Sequence, residues 1–269
     1  FDGLKTGTYL SGKKIGSPVF GFLAFFGNLC FTLKVPKPLN SIFSLLLNAL
    51  IISLNDSFNT ASTSTLVSPV ALATLSTMSF MIGRVTENIK IPFGVNVLWD
   101  PISTVALAAS TNAKFVREIF TGTYASDMGI WSPDAGKAMR YRNSLGRKDL
   151  QMYYNISAEF ACSLDRRTVA ERAESTVFSS IPDAVLVSGQ ITGQSAKLEE
   201  IKQVCKVITS TPVLANTGVN LDNVEDILKE TDGVIIGSSL KINGDTWKNI
   251  DPKRAKKFMT KVKSIRKNA

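Results

Sequence analysis

Histidine is missing from all 269 residues. That removes any Ser-His-Asp triad, imidazole acid–base chemistry and every His-ligated metal site from the chain's repertoire. Cysteine is scarce: Cys30, Cys162 and Cys205 lie far apart, with no CxxC and no disulfide-like framework, which points to a reducing compartment. Charge is almost absent from residues 39–83, where Asp56 is the sole ionised side chain and Ser and Thr supply the polarity. Residues 1–18 are polar, slightly basic and without the apolar core of a signal peptide. They read as a polar extension, and because the chain opens on Phe1 rather than Met, further residues are expected ahead of it. What chemistry remains must come from carboxylates, lysine, tyrosine, serine, cysteine or main-chain dipoles.

What is present alternates. Eight short apolar runs have the near-continuous aliphatic character of buried parallel strands: 19–26, 48–55, 92–99, 114–122, 149–156, 183–189, 212–218 and 233–240. Helical patterns separate most of them. They cover 68–87, 100–113 (with Asp100 as N-cap and Pro101 at the first helical position), 135–146, 165–180, 196–208 and 221–230. Eight strands alternating with helices predict an α/β fold, a single (β/α)8 barrel over 1–269, with a doubly wound sheet as the alternative. About twenty residues separate the first two runs, so the first crossover helix, "LNSIFSLLL", is expected to be shortened.

The net charge is +9, and eight of the cationic residues fall between Lys253 and Lys267. Apolar residues recur among them at helical spacing, so 252–269 reads as an amphipathic basic helix with a solvated outer face, and no nucleic-acid partner is assigned to it. The uncharged stretch 39–83 reads either as a hydroxyl-covered helical surface, as one covered by a partner or apposed to a membrane, or as a membrane-crossing helix around 67–85.

In a barrel the C-terminal ends of the strands share one face and their loops build the site. Two small polar turns fall on the loops after the seventh and eighth runs: Asn216–Thr217–Gly218 and Gly237–Ser238–Ser239. Glycines there let main-chain amides approach an anion, so the pair is expected to grip one phosphate; close strand–loop packing is the competing explanation. Polar residues also interrupt the apolar runs: Asn96, Arg117, Asn155, Ser188 and Gly189. Alternation puts Arg117 and Thr121 on one side of their strand and Glu118 on the other, facing the helix layer. Arg117 suits a carboxylate or phosphate, or else an internal ion pair. The loop "TGTYASDMGIWSPDAG" reads as a lid bearing Asp127 as an acid–base group or as a turn former.

Five ordered stretches, "IPFGVNVLWDP", "FVREIFTGTYASDMGIW", "STVFSSIPDAVLVSG", "TPVLANTGVNLDNVEDIL" and "DGVIIGSSLKINGDTWKNIDPKR", resemble the BtpA/SgcQ family over roughly residues 90–263. The resemblance implies a phosphate-binding TIM barrel and places Asn96, Arg117, Thr121, Gly122, Ser188, Gly189, Gly218, Gly237 and Ser238 on the ligand face. The family name is associated with biogenesis of a membrane complex, photosystem I, and no reaction is attached to it. The N-terminal third departs from the family pattern: "FGFLAFFGNLC" lacks the histidine and Leu-Pro-Gly turn of the first strand, and Asn155 stands where many relatives carry an aspartate-histidine pair.

Together these readings predict a barrel binding a phosphorylated small molecule, with lyase, isomerase or nucleosidase-type chemistry at Asn96, Arg117, Asp127 and Asn155. The rival expectation is a catalytically weak assembly factor for a membrane protein complex. No cofactor is identified; only an oxygen-ligated ion such as Mg²⁺ suits a chain without histidine. A homo-oligomer is compatible with both readings. The expected location is the cytoplasm or an organelle stroma or matrix, with a peripheral membrane position as a variant.

Overall fold

A computed structural model describes residues 23–26, 29–31, 69–88, 90–127 and 129–267. The predicted strand 48–55, the shortened helix 39–47, the extension 1–18 and much of the uncharged stretch lie outside the described residues.

Eight strands close into a barrel. In chain order they are β1 (Leu23–Phe26), β2 (Leu29–Phe31), β3 (Gly94–Val95), β4 (Phe115–Glu118), β7 (Gln151–Asn155), β9 (Ala184–Ser188), β10 (Val213–Asn216) and β11 (Gly233–Ile236). Their order around the ring is β1-β11-β10-β9-β7-β4-β3-β2. Every described pairing is parallel except those of β2, which runs antiparallel to both β1 and β3. The sequence predicts eight parallel strands and none at 29–31, and in the antiparallel β2 the structure differs. Only two residues join β1 to β2, and a link that short can only reverse the chain, whereas a parallel partner needs a crossover of a dozen or more residues.

The helices are α1 (Pro69–Thr86), α2 (Pro101–Thr111), α3 (Ala135–Ser144), α4 (Val169–Ser180), α5 (Leu198–Val207), α6 (Val224–Glu230) and α7 (Pro252–Lys267). Asp100 caps α2 through Ser103 N, with Pro101 at its first position, as the sequence predicts. No helix among the described residues is long and apolar enough to cross a membrane, α1 included.

Strand alternation sorts the core into two faces. Val95, Val116, Met152 and Tyr154 look outward onto α1, α2 and α3; Val185, Val187, Val213, Ala215 and Ile236 look outward onto the helices of the second half. Phe115, Tyr153, Ala184, Leu186, Leu214 and Ile235 fill the interior, with the rings of Phe115 and Tyr153 stacked at 5.0 Å. Gly94 completes this layer by omission: a Cβ there would lie 2.0 Å from the Phe115 ring.

Over the C-terminal mouth lies a small antiparallel sheet, ordered β6-β5-β8, of β5 (Tyr124–Ser126), β6 (Gly129–Trp131) and β8 (Ala161–Ser163). The expected lid loop is therefore a hairpin, β5–β6, stapled to the next loop by β8. The excursion after β11 is closed by an antiparallel bridge between Lys241 and Ile250, with Asn243 and Gly244 both in the left-handed region of its turn.

Candidate functional site

Two residues above the apolar interior layer, the same strand faces turn polar. Phe115 is followed on its side of β4 by Arg117, Tyr153 by Asn155, Leu186 by Ser188, Leu214 by Asn216, and Gly94 by Asn96. All five polar side chains are buried. Burial of this kind requires partners: Asn155, Ser188 and Asn216 find one another along adjacent strands, while Arg117 and Asn96 turn to carboxylates. Asn216 Nδ2 donates to Ser188 Oγ at 2.6 Å, and Ser188 Oγ donates to Asn155 Oδ1 at 3.1 Å. Asn155 Oδ1 also accepts from Ser157 N. Arg117 Nη2 meets Glu159 Oε1 at 2.9 Å, and Thr192 Oγ1 donates to the other oxygen of Glu159 at 3.2 Å.

A small cavity opens above this layer, lined by Asn96, Leu98, Trp99, Arg117, Glu118, Ile119, Asn155 and Glu159. Three of the four residues predicted as catalytic, Asn96, Arg117 and Asn155, meet there. Asp127 does not: it sits exposed in the turn of the β5–β6 hairpin. The carboxylates of the cavity are Glu118 and Glu159. Among the described residues no group of three or more His, Cys, Asp or Glu side chains is arranged to hold a metal ion.

Glu118 corrects the parity argument. It does leave β4 on the side opposite Arg117, but at the strand's last residue its side chain reaches over the edge to the mouth. Oε2 accepts from Asn96 Nδ2 at 2.6 Å and from Trp99 N at 3.1 Å, and Oε1 accepts from Ile119 N at 2.7 Å. Asn96 Nδ2 also donates to the Arg117 carbonyl, which ties the two strand ends together. Burial pushes the Glu118 carboxyl up to about 7; the Ile119 amide, the nearby Arg117 charge, the Asn96 side chain and the Trp99 amide each pull it down by less.

Two bulky residues beside the cavity hold left-handed backbone: Trp99 at φ 65° and Phe160 at φ 58°. Strain of this kind at a non-glycine residue costs on the order of 1–3 kcal/mol and clusters at functional sites. At Trp99 the conformation accompanies the amide's hydrogen bond to Glu118, and its ring packs on Trp131 of the lid sheet at a centroid distance of 4.7 Å.

The two small turns after β10 and β11 hold Thr217 and Gly218, both with positive φ, and a 3-10 turn at Ser238–Leu240. Much of the first turn's chemistry is already internal. Thr217 Oγ1 accepts from Gly189 N and donates to the Gln194 carbonyl. A Cβ on Gly218 would lie 2.1 Å from Ser195 N, and one on Gly189 would lie 2.1 Å from the Gln194 carbonyl oxygen. These contacts account for both glycines by close packing alone. In the second turn Ser238 Oγ pairs with Thr246 Oγ1 at 2.7 Å, and Ser239 Oγ donates to the Val219 carbonyl. Thr121 and Gly122 sit aside from the cavity. Thr121 Oγ1 pairs with Thr176 of α4, and Gly122 lies under the Tyr124 ring, where a Cβ would be 2.7 Å from the hydroxyl.

Sequence reasoning missed Glu118 as a cavity residue and Glu159 altogether. A clue to Glu118 was its place at the strand's end, where alternation stops binding the side chain. Glu159 lies in an irregular segment without any periodic signal.

A BtpA family model matches residues 52–264. The putative sgc region protein SgcQ of Escherichia coli (strain K12) is 42% identical over 194 residues, 72% of this chain and 72% of that protein. The photosystem I biogenesis protein BtpA of Synechocystis sp. is 30% identical over 189 residues, 70% of this chain and 66% of that one. Among solved structures, phosphoribosyl anthranilate isomerase from Thermococcus kodakaraensis overlays with a TM-score of 0.44 at 18% identity, covering 75% of this chain and 84% of its own. An overlap so loose speaks to neither reaction nor ligand. The family match and the SgcQ relative together establish that this chain belongs to the BtpA family.

Proposed function

We propose that this chain is an enzyme that binds a small phosphorylated molecule at the barrel mouth and moves a proton on it through Glu118. The observation that carries this reading is the Glu118 carboxyl. It is buried, it lines the cavity beside Arg117, and it is balanced between acid and carboxylate near neutral pH. Asn96 and the Trp99 amide fix its orientation, and Asn155 and Arg117 are the remaining groups for orienting a substrate's oxygens. The phosphate is assigned to the loops after β10 and β11, at Thr217, Gly218, Gly237 and Ser238, with Asn216, whose amide donates to Ser188 and Glu159, bordering it. What supports this is that the main-chain amides of Gly218 and Ser238 meet no acceptor among the described residues. The reaction class is a proton transfer of the isomerase or lyase kind.

The test is a thermal-shift screen of phosphorylated sugars and acids. A true ligand at a hundred times its dissociation constant stabilises the fold by about 2.7 kcal/mol. Ser238→Asp places a like charge beside the phosphate and should abolish the shift. Glu118→Gln should keep the shift but stop exchange of a substrate C–H with deuterated solvent. A screen in which no phosphorylated compound shifts the wild type sinks the reading.

A second reading, an assembly factor for a membrane protein complex, has one observation in its favour. The outer face of α1 presents Leu72, Ala73, Ser76, Thr77 and Phe80 without a charge, and Leu72 and Phe80 are 55% and 65% exposed. Phe80→Asp would abolish such a role and leave ligand binding at the barrel mouth unchanged.

A further inference from the structure

Glu159 stands in an unusual position for an internal ion-pair partner. It belongs to no strand or helix; it hangs from the irregular segment 156–160 between β7 and β8. Yet its carboxylate gathers donors from three separate elements. The Arg117 guanidinium comes from β4 at 2.9 Å, the Thr192 hydroxyl from the β9–α5 loop at 3.2 Å, and the Asn216 amide from β10 at 3.4 Å. Two of these donors are fixed by the barrel: Arg117 and Asn216 lie on strands, and Asn216 is locked to Ser188. The receptor is rigid and the occupant is a loop residue.

Stability is a poor reason for the arrangement. A buried ion pair roughly breaks even against its desolvation, and the segment adopts left-handed backbone at Phe160, whose side chain is 40% exposed. Space argues in the same direction. The small cavity is bounded by Arg117 and Glu159 together. Withdrawing Glu159 would enlarge it by the volume of its side chain.

We infer that Glu159 holds the seat of a ligand carboxylate: the ligand bears both a phosphate and a carboxylate, and its carboxylate displaces Glu159 from Arg117, Thr192 and Asn216. The inference rests on the phosphate reading above and narrows it to phosphorylated carboxylic acids. Arg117 is then the group that selects acids over their neutral analogues.

The experiment uses the full chain and two probes that differ at one end, 3-phosphoglycerate and glycerol 3-phosphate. Their affinities are read by thermal shift and calorimetry on the wild type, on Glu159→Ala and on the double variant Glu159→Ala with Arg117→Gln. Glu159→Ala should prefer 3-phosphoglycerate by about tenfold, the scale of a charge-assisted hydrogen bond. The wild type should show a smaller preference because Glu159 competes, and the double variant none. Sodium formate reads the seat without any phosphate: it should raise the melting temperature of Glu159→Ala saturably, and leave the wild type and the double variant unmoved. If neither phosphorylated probe binds but formate does so, the seat stands and the phosphate reading alone falls. Equal affinity for the two probes on Glu159→Ala, or no formate effect on that variant, overturns the inference. Should Glu159→Ala fail to fold, Glu159→Gln keeps the shape without the charge and should show the same preference at lower amplitude.

Discussion

Glu118 sits in an environment that favours two opposite states. Three donors point at its oxygens, which favours the carboxylate, while complete burial favours the acid, and burial is the larger effect. Its folded value of about 7 against an ordinary 4.5 means the native state holds a proton that the unfolded chain has already released over that interval. Stability contributed by Glu118 is thus fully present below pH 4.5 and is lost as pH rises through 7. A tenfold difference in proton affinity between the folded and unfolded chain is worth about 1.4 kcal/mol, so the loss amounts to about 3 kcal/mol. Glu118→Gln cannot titrate. Urea denaturation of both proteins from pH 4.5 to 8 should therefore show the wild type losing about 3 kcal/mol relative to the variant. Parallel stability curves would mean that the carboxyl is solvated or paired well enough to ionise normally. This residue also marks the limit of parity reasoning. Alternation assigned Arg117 its inward direction because it stands within the strand, two residues after Phe115. Glu118 is the strand's last residue, in register with Tyr154 alone, and the nearest donors, Asn96 and the Trp99 amide, decide where its side chain goes.

At the scale of elements, the legible parts are those governed by local chemistry. Helix α2 shows this best: Asp100 and Pro101 announce its start, and the structure places the Asp100 carboxylate 2.9 Å from Ser103 N and in contact with the Ser103 hydroxyl. Asp100→Ala should lower stability by about 1 kcal/mol through the lost N-cap, with the urea midpoint falling and the m-value unchanged. Because Trp99 immediately precedes the cap, the same variant should weaken the Trp99–Trp131 contact, visible as a red shift of tryptophan emission. An unshifted spectrum would show that Glu118 and Trp131, rather than the helix start, hold Trp99. Strand β2 was illegible for the opposite reason. Residues 29–31 carry no period long enough to read, and their role as an antiparallel filler between β1 and β3 depends on which strands arrive beside them. The β5–β6–β8 sheet escaped in the same way: three strands of three residues, two from one loop and one from the next, form no pattern until they meet.

For the whole molecule, the polar layer over the apolar layer is the feature from which the site follows, and it was readable because both layers obey one rule. Each strand that places Phe115, Tyr153, Leu186 or Leu214 inward must place the residue two positions on at the mouth. Asn96, Arg117, Asn155 and Ser188 thus stood out as polar interruptions in apolar runs, and Asn216 as the head of a small polar turn. Glu159, which completes the ring, had no run to interrupt. The same layering predicts how rigidity is distributed. Strands β7, β9 and β10 are paired on both sides and covered by helices outside, and nearly every residue in them is buried. The lid sheet is covered less completely. Ala125, Ile130 and Cys162 form a cross-strand row with all three side chains exposed, and β6 and β8 are both edges. In native-state hydrogen exchange, the amides of β7, β9 and β10 should open only with global unfolding, whereas those of β5, β6 and β8 should exchange through a local opening of lower free energy. A ligand that displaces Glu159 and is enclosed by the lid should raise the protection of β5, β6 and β8 and leave the barrel strands unchanged, because only the lid's opening is coupled to its occupancy. Equal protection in lid and barrel before any ligand is added would make the lid part of the rigid core, and entry to the cavity would then require a different path.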